Sequence, residues 1–220
     1  MFVQQFFVKG IAHSSYLLGS GDKCAIIDPR RDVQIYLDAA KDMGYTITHI
    51  LETHLHADFI SGHMDLAKLT GAEIYAPGEC DFPYIEAKEG VTFDIGELRL
   101  EVIETPGHTP EHISYVVMDL ARGREPASLF CGDTLFVGDV GRPDLFPGIA
   151  RDLAKKLYHS LHNKILHLPE FCEVYPAHGA GSLCGRAMGA KRTSTVGYEK
   201  RFNQPLLLSK TDEFVESLTS

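Results

Sequence analysis

A chain of 220 residues with 44% hydrophobic and 23% charged residues is long enough and apolar enough to bury one substantial core. Its net charge of −9 argues against a general binder of nucleic acid or anionic membranes, whose affinity rests on Lys and Arg neutralising phosphates. The start, MFVQQFFVKG, lacks the basic and continuous apolar regions of a secretion signal, and no run resembles a membrane span, so a cytoplasmic protein is expected.

The first third alternates short β-rich runs with helices. QFFV, SYLL and CAIID, bounded by Gly, Lys or Asp-Pro turn signals, predict three strands. From Asp32, the apolar positions Val33, Leu37, Ala40 and Met43 fall at helical spacing, and Gly44 closes the helix. ITHILETH is the next strand and His54 to Ser61 the loop after it. Met64 with Ala67 and Leu66 with Leu69 predict a short helix stopped by Gly71, before a strand at EIYAP.

The middle reads as antiparallel. VTFDI and LRLEVIET flank a Gly96-Glu97 turn with period-2 alternation, and ISYVVMDL and SLFCGDTLF flank a polar loop, Ala121 to Pro126. Ile149, Leu153, Leu157 and Leu161 then restore a helix, and FCEVYPAH a strand. QPLLLSKTDEFVESLTS predicts a loop and a short amphipathic helix with Phe214, Val215 and Leu218 on one side, a helical tail over about residues 203–220. With no linker and no repeat, one domain over 1–220 is expected, of the α/β class, with two mixed sheets covered by helices. Five cysteines (Cys24, Cys80, Cys131, Cys172, Cys184), an odd number with no CxxC pair, predict free thiols.

The histidines carry the chemistry. There are eleven, where about four or five would be usual. Four segments place His or Asp just after a predicted strand: His54, His56 and Asp58 in THLHADF, His108 in TPGHT, Asp133 in CGDTL and His178 in YPAHG. Residues at strand ends can converge on one point, and His with carboxylate suits a borderline divalent cation such as zinc or iron. In HxH on an extended segment both rings share a face.

THLHADF, TPGHT, CGDTL and YPAHG, in that order, resemble the metallo-β-lactamase superfamily over about residues 8–185. The resemblance implies an αββα sandwich of two mixed β-sheets flanked by helices. The superfamily motif HxHxDH ends in a His, where this sequence has Phe59. Hydrolytic members similar to glyoxalase II hold a second metal with Asp58, the residue at 59, a bridging Asp133 and His178, so Phe59 removes one ligand. ADFISGH, GRPDLF and PAHGAGSLCG are similar to the persulfide dioxygenase branch, particularly bacterial forms fused to rhodanese domains. That resemblance implies one Fe(II) per chain, held by His54, His108 and Asp133, and a reaction of O2 with a thiol persulfide such as glutathione persulfide, giving sulfite and the thiol. His56, Asp58 and His178 would orient the ligands, hydrogen-bond the bound oxygen or move protons. A rhodanese partner or fused domain is implied; a homodimer stays open.

Weaker signals surround this set. Arg142 could hold a carboxylate of the carrier thiol, with Asp144 holding Arg142 or a substrate amine. The glycines beside His178, with Arg186, Lys191 and Arg192, could form an anion site. Cys131 is expected on a buried strand, and Cys184 could carry a persulfide. His13 and His112 could line the pocket, whereas Asp28 and Arg30 are expected to brace the site. Two rivals remain: a glyoxalase II-like dinuclear zinc thioester hydrolase, and a non-catalytic module that presents a persulfide to a partner.

Overall fold

The computed structural model describes residues 1–220. Two six-stranded mixed sheets face each other. The first has the order β1 (Phe2–Val8), β2 (His13–Ser20), β3 (Lys23–Ile27), β4 (Thr46–Leu51), β5 (Glu73–Ala76), β6 (Ile85–Glu86). The second comprises β7 (Thr92–Ile95), β8 (Leu98–Glu104), β9 (Ile113–Asp119), β10 (Pro126–Gly132), β13 (Glu173–Pro176) and β14 (Ser194–Thr195), in the order β14-β13-β10-β9-β8-β7. Between β10 and β13 lie a two-strand ribbon, β11 (Leu135–Phe136) with β12 (Asp139–Val140), and the helix α3 (Ala150–Asn163).

Alternation along the strands builds the layers. Tyr16 and Leu18, Ala25 and Ile27, Tyr115 and Val117, and Phe130 point into the core between the sheets. Their neighbours point outward. Leu17, Cys24, Ile26 and Ile50 pack with Tyr36 and Ala40 of α1 (Gln34–Asp42) and Leu66 of α2 (His63–Thr70). On the other face Val116, Leu129, Cys131 and Val174 meet Leu157 and Leu161 of α3 and Phe214 and Leu218 of α5 (Thr211–Thr219). The result is the expected αββα sandwich, in which each sheet buries both faces.

Two predicted features are reshaped. SLFCGDTLF does not run as one strand: β10 ends at Gly132, whose φ is 50°, and the ribbon begins at Leu135. An alanine Cβ at 132 would sit 2.5 Å from His112 Nε2 and Thr53 Oγ1, so only glycine lets the chain turn there and present Asp133. The sequence reading also lacks α4 (Val196–Phe202), a helix of two turns that docks Val196 in the outer core and too short to show a period.

Candidate metal centre

Loops at the ends of β4, β8, β10 and β13 bring the four segments together. One ligand atom each from His54, His108 and Asp133 lie within 4.8 Å of one another, and all three residues are buried. His108 Nε2 is 3.3 Å, and His54 Nε2 3.9 Å, from Asp133 Oδ2.

The surrounding hydrogen bonds fix which ring nitrogens are free. Thr53 Oγ1 donates its only proton to Asp28, at 2.9 and 3.1 Å, so it must accept from His54 Nδ1 at 2.9 Å. His108 Nδ1 donates to the Arg142 carbonyl at 3.0 Å. Both Nε2 lone pairs therefore remain for a cation, the arrangement in which outer partners orient metal-binding histidines. Burial keeps the His54 and His108 rings neutral. Asp133 stays ionised although burial opposes it, because the charged His178 ring donates to it and holds its carboxyl well below the usual range. Two neutral imidazoles and one carboxylate are a donor set that fits a divalent metal.

His178 sits between two carboxylates. Its Nδ1 donates to Asp133 Oδ1 at 2.7 Å and its Nε2 lies 2.9 Å from Asp58 Oδ2. Burial disfavours its charge, but Asp133 and Asp58 outweigh that and hold it protonated. His56 turns away from this group. Its Nε2 lies 3.0 Å from Asp28 Oδ1 and 3.4 Å from Glu52 Oε2, and the two carboxylates push its pKa up to about 10 against the effect of burial. Phe59 lies over it. The Phe59 ring is centred 4.4 Å from that of His56 and 4.2 Å from that of His13, an apolar lid beside Asp58.

The metallo-beta-lactamase superfamily profile matches residues 8–178. This chain belongs to the metallo-beta-lactamase superfamily. The mouse mitochondrial persulfide dioxygenase ETHE1 is 31% identical over 97% of this chain and 79% of its own length. A hydroxyacylglutathione hydrolase of Rhodospirillum rubrum is 40% identical over a shorter span, 70% of this chain and 57% of its own. The crystal structure of ETHE1 from Myxococcus xanthus superposes with a TM-score of 0.83 at 28% identity, covering 99% of this chain and 90% of that one.

Within this superfamily member the remaining predicted residues fall into place as follows. Arg142, Asp144 and Arg186 line a common cavity of about 350 Å³ with Leu183 and Leu218. None is free. Arg142 makes a two-pronged pair with Asp144 at 2.6 and 2.8 Å and reaches the Leu183 carbonyl, and Arg186 donates to the Ser217 carbonyl. Lys191 lies over Tyr198 and Arg192 over Phe7, each 3.8–4.9 Å from a ring centre, so these two cations pack on aromatic faces. Cys184 comes within 4.8 Å of Asp58 and His178, but burial pushes its thiol up. Asp28, with φ of 50°, braces the site through Thr53 and His56. Two larger cavities, about 680 Å³ near Arg122 and about 660 Å³ near Tyr84, gather no ligand set, so chemistry rather than volume locates the centre.

Three second-layer residues escape the sequence reading. Glu52 and Thr53 follow the end of β4, Thr53 as the first residue of THLHADF, and His63 opens α2; ET in ILETH is the signal there, a buried strand that closes on polar residues. The fourth partner, His112, is more deeply built in than a pocket-lining role suggests. Its Nε2 accepts the Asp133 N–H at 3.0 Å, so Nδ1 carries the proton toward Thr105 and Thr134. Burial lowers its pKa to about 3. In the unfolded chain this ring takes a proton below about 6.5, so between those values the unfolded state binds the extra proton and stability falls as pH drops. Metal-free protein should therefore lose about 2 kcal/mol from this residue between pH 7 and pH 5. Denaturant melts of His112→Gln at both pH values should lack that part; an identical pH-dependent loss in both proteins would refute the assignment.

Proposed function

We propose that this protein is a non-haem Fe(II) persulfide dioxygenase, using one iron per chain to oxidise a low-molecular-weight thiol persulfide. The balanced reaction is RSSH + O2 + H2O giving RSH, sulfite and two protons. The observation that carries the reading is Phe59: it stands in sequence where the second-metal histidine would, packs its ring against His13 and His56, and leaves the neighbouring Asp58–His178–Cys184 cluster with a protonated imidazole and a protonated thiol, whereas His54, His108 and Asp133 are ready for a metal. The near full-length match to persulfide dioxygenases supports it.

Bound iron would bring the persulfide sulfur and O2 together and mediate the transfer of four electrons from the sulfur to O2. His54 Nε2, His108 Nε2 and Asp133 would hold it, with Thr53 and the Arg142 carbonyl keeping the two rings in register. His178 steadies the Asp133 carboxylate. Asp58, whose side chain is 32% exposed, connects His178 to water, so the pair can carry a proton between the centre and solvent. His56, clamped through Nε2 by Asp28 and Glu52, holds the loop shape. Arg142, Asp144 and Arg186 give the carrier thiol a charged seat, using the guanidinium N–H groups not already committed. Glutathione, with two carboxylates and one amine, matches that seat.

The runner-up is a dinuclear zinc thioester hydrolase, favoured by the Rhodospirillum relative and by the presence of Asp58, Asp133 and His178. A persulfide-presenting module built on Cys184 is disfavoured, because burial holds that thiol protonated and a thiolate is the reactive form. Anaerobically purified protein is expected to carry about one iron per chain and to consume O2 when glutathione persulfide is added. About two zincs per chain, no O2 uptake and cleavage of a glutathione thioester would establish the hydrolase instead.

A further inference from the structure

The fold aims two carboxylates at one nitrogen where one would hold it. Asp28 Oδ1 already lies 3.0 Å from His56 Nε2 and also anchors Thr53. Glu52 is added to it: Oε2 lies 3.4 Å from the same nitrogen, is buried and makes no well-aligned hydrogen bond. The other oxygen is gripped by Ser61 Oγ and by His63 Nδ1 at 2.8 Å, both at the entrance to α2. A buried carboxylate oxygen left short of partners costs stability, and Gln would fill the same space without the charge. Glu52 is therefore placed for its charge.

We propose that Glu52 is a positioning residue that sets a second carboxylate on His56, the ring packed against the metal ligand His54, and so lowers the reduction potential of the bound iron. Glu52 brings a second carboxylate to a nitrogen that Asp28 already holds, and Gln in its place would remove one carboxylate from the same space. The His56 ring that receives both carboxylates is centred 4.1 Å from that of His54, and both side chains are buried, where a fixed charge is weakly screened. A nearby negative charge favours the more oxidised ion, which is the direction electron donation to O2 requires. Ser61 and His63 keep the charge in place.

This inference rests on the oxygenase reading. The test is a redox titration of the iron-loaded protein alongside O2-uptake kinetics. Glu52→Gln should raise the midpoint potential and lower kcat about tenfold with KM for glutathione persulfide unchanged. Glu52→Asp keeps the charge and should restore most of both. His63→Ala, which loosens the carboxylate, should shift the potential the same way by less, and it decides the matter should Glu52→Gln fail to fold. An unchanged potential in a folded variant that still consumes O2 overturns this inference alone, as does an equal rise in Glu52→Gln and Glu52→Asp. A wild-type protein that binds no redox-active iron and takes up no O2 overturns the oxygenase reading and this inference with it.

Discussion

Gly141→Ala should cost the protein both its metal and about 3 kcal/mol of stability. An alanine Cβ at 141 would stand 1.9 Å from the Asp133 carbonyl oxygen and 3.1 Å from His108 Cβ. Neither neighbour can yield cheaply. The Asp133 backbone is tied by its N–H to His112, and His108 Nδ1 is tied to the carbonyl of Arg142, the residue next to the substitution. Relief must therefore displace two of the three donors together, and loss of their alignment should weaken metal binding at least tenfold. Gly123→Ala is the control, since a Cβ there meets nothing within 4 Å, and it should change stability by less than about 0.5 kcal/mol. Metal content after desalting, with thermal melts of both variants, decides it; a Gly141→Ala protein that keeps its metal shows that the Asp133 loop is more yielding than its hydrogen bonds indicate.

Phe59→His should change what the centre holds. The imidazole would join Asp58, Asp133 and His178, raising the metal content from about one to about two ions per chain and lowering O2 uptake, because a second cation would compete for Asp133 and displace the His178 proton. Phe59→Leu, apolar and without a donor, should stay near one ion. The Phe ring also packs on His13 and His56, so both variants should lose some stability while only the histidine gains metal. Elemental analysis of the two proteins loaded in the same metal mixture would falsify the idea if their ratios agree.

The donors were legible because strand ends advertise themselves: apolar alternation stops, and THLHADF, TPGHT, CGDTL and YPAHG each follow at once. The two-sheet sandwich was legible for the same reason, as Tyr16, Leu17 and Leu18 face alternate sides as their pattern demands. The outer layer was not. Thr53 to Asp28 spans 25 positions and Asp133 to His112 spans 21, and no local pattern states which way a loop residue turns across such a gap. Arg142 shows the limit well. Its sequence suggests a carboxylate clamp with Asp144 holding either the guanidinium or a substrate amine; Asp144 holds the guanidinium, but the Leu183 carbonyl engages it as well and the Arg142 backbone carbonyl orients His108, neither of which a local pattern shows.

The centre draws on both halves of the sandwich. His54 hangs from β4 of the first sheet, whereas His108, Asp133 and His178 hang from β8, β10 and β13 of the second. A captured ion is thus a further cross-link between two layers already joined at this edge by backbone bonds, such as Ile113 N–H to the Thr53 carbonyl, and by the Asp58–His178 pair. Its binding free energy becomes cohesion between the sheets, growing with the logarithm of free metal concentration. Metal supply and folding are in this way a single equilibrium: a cell short of the ion would hold a looser sandwich as well as an idle one.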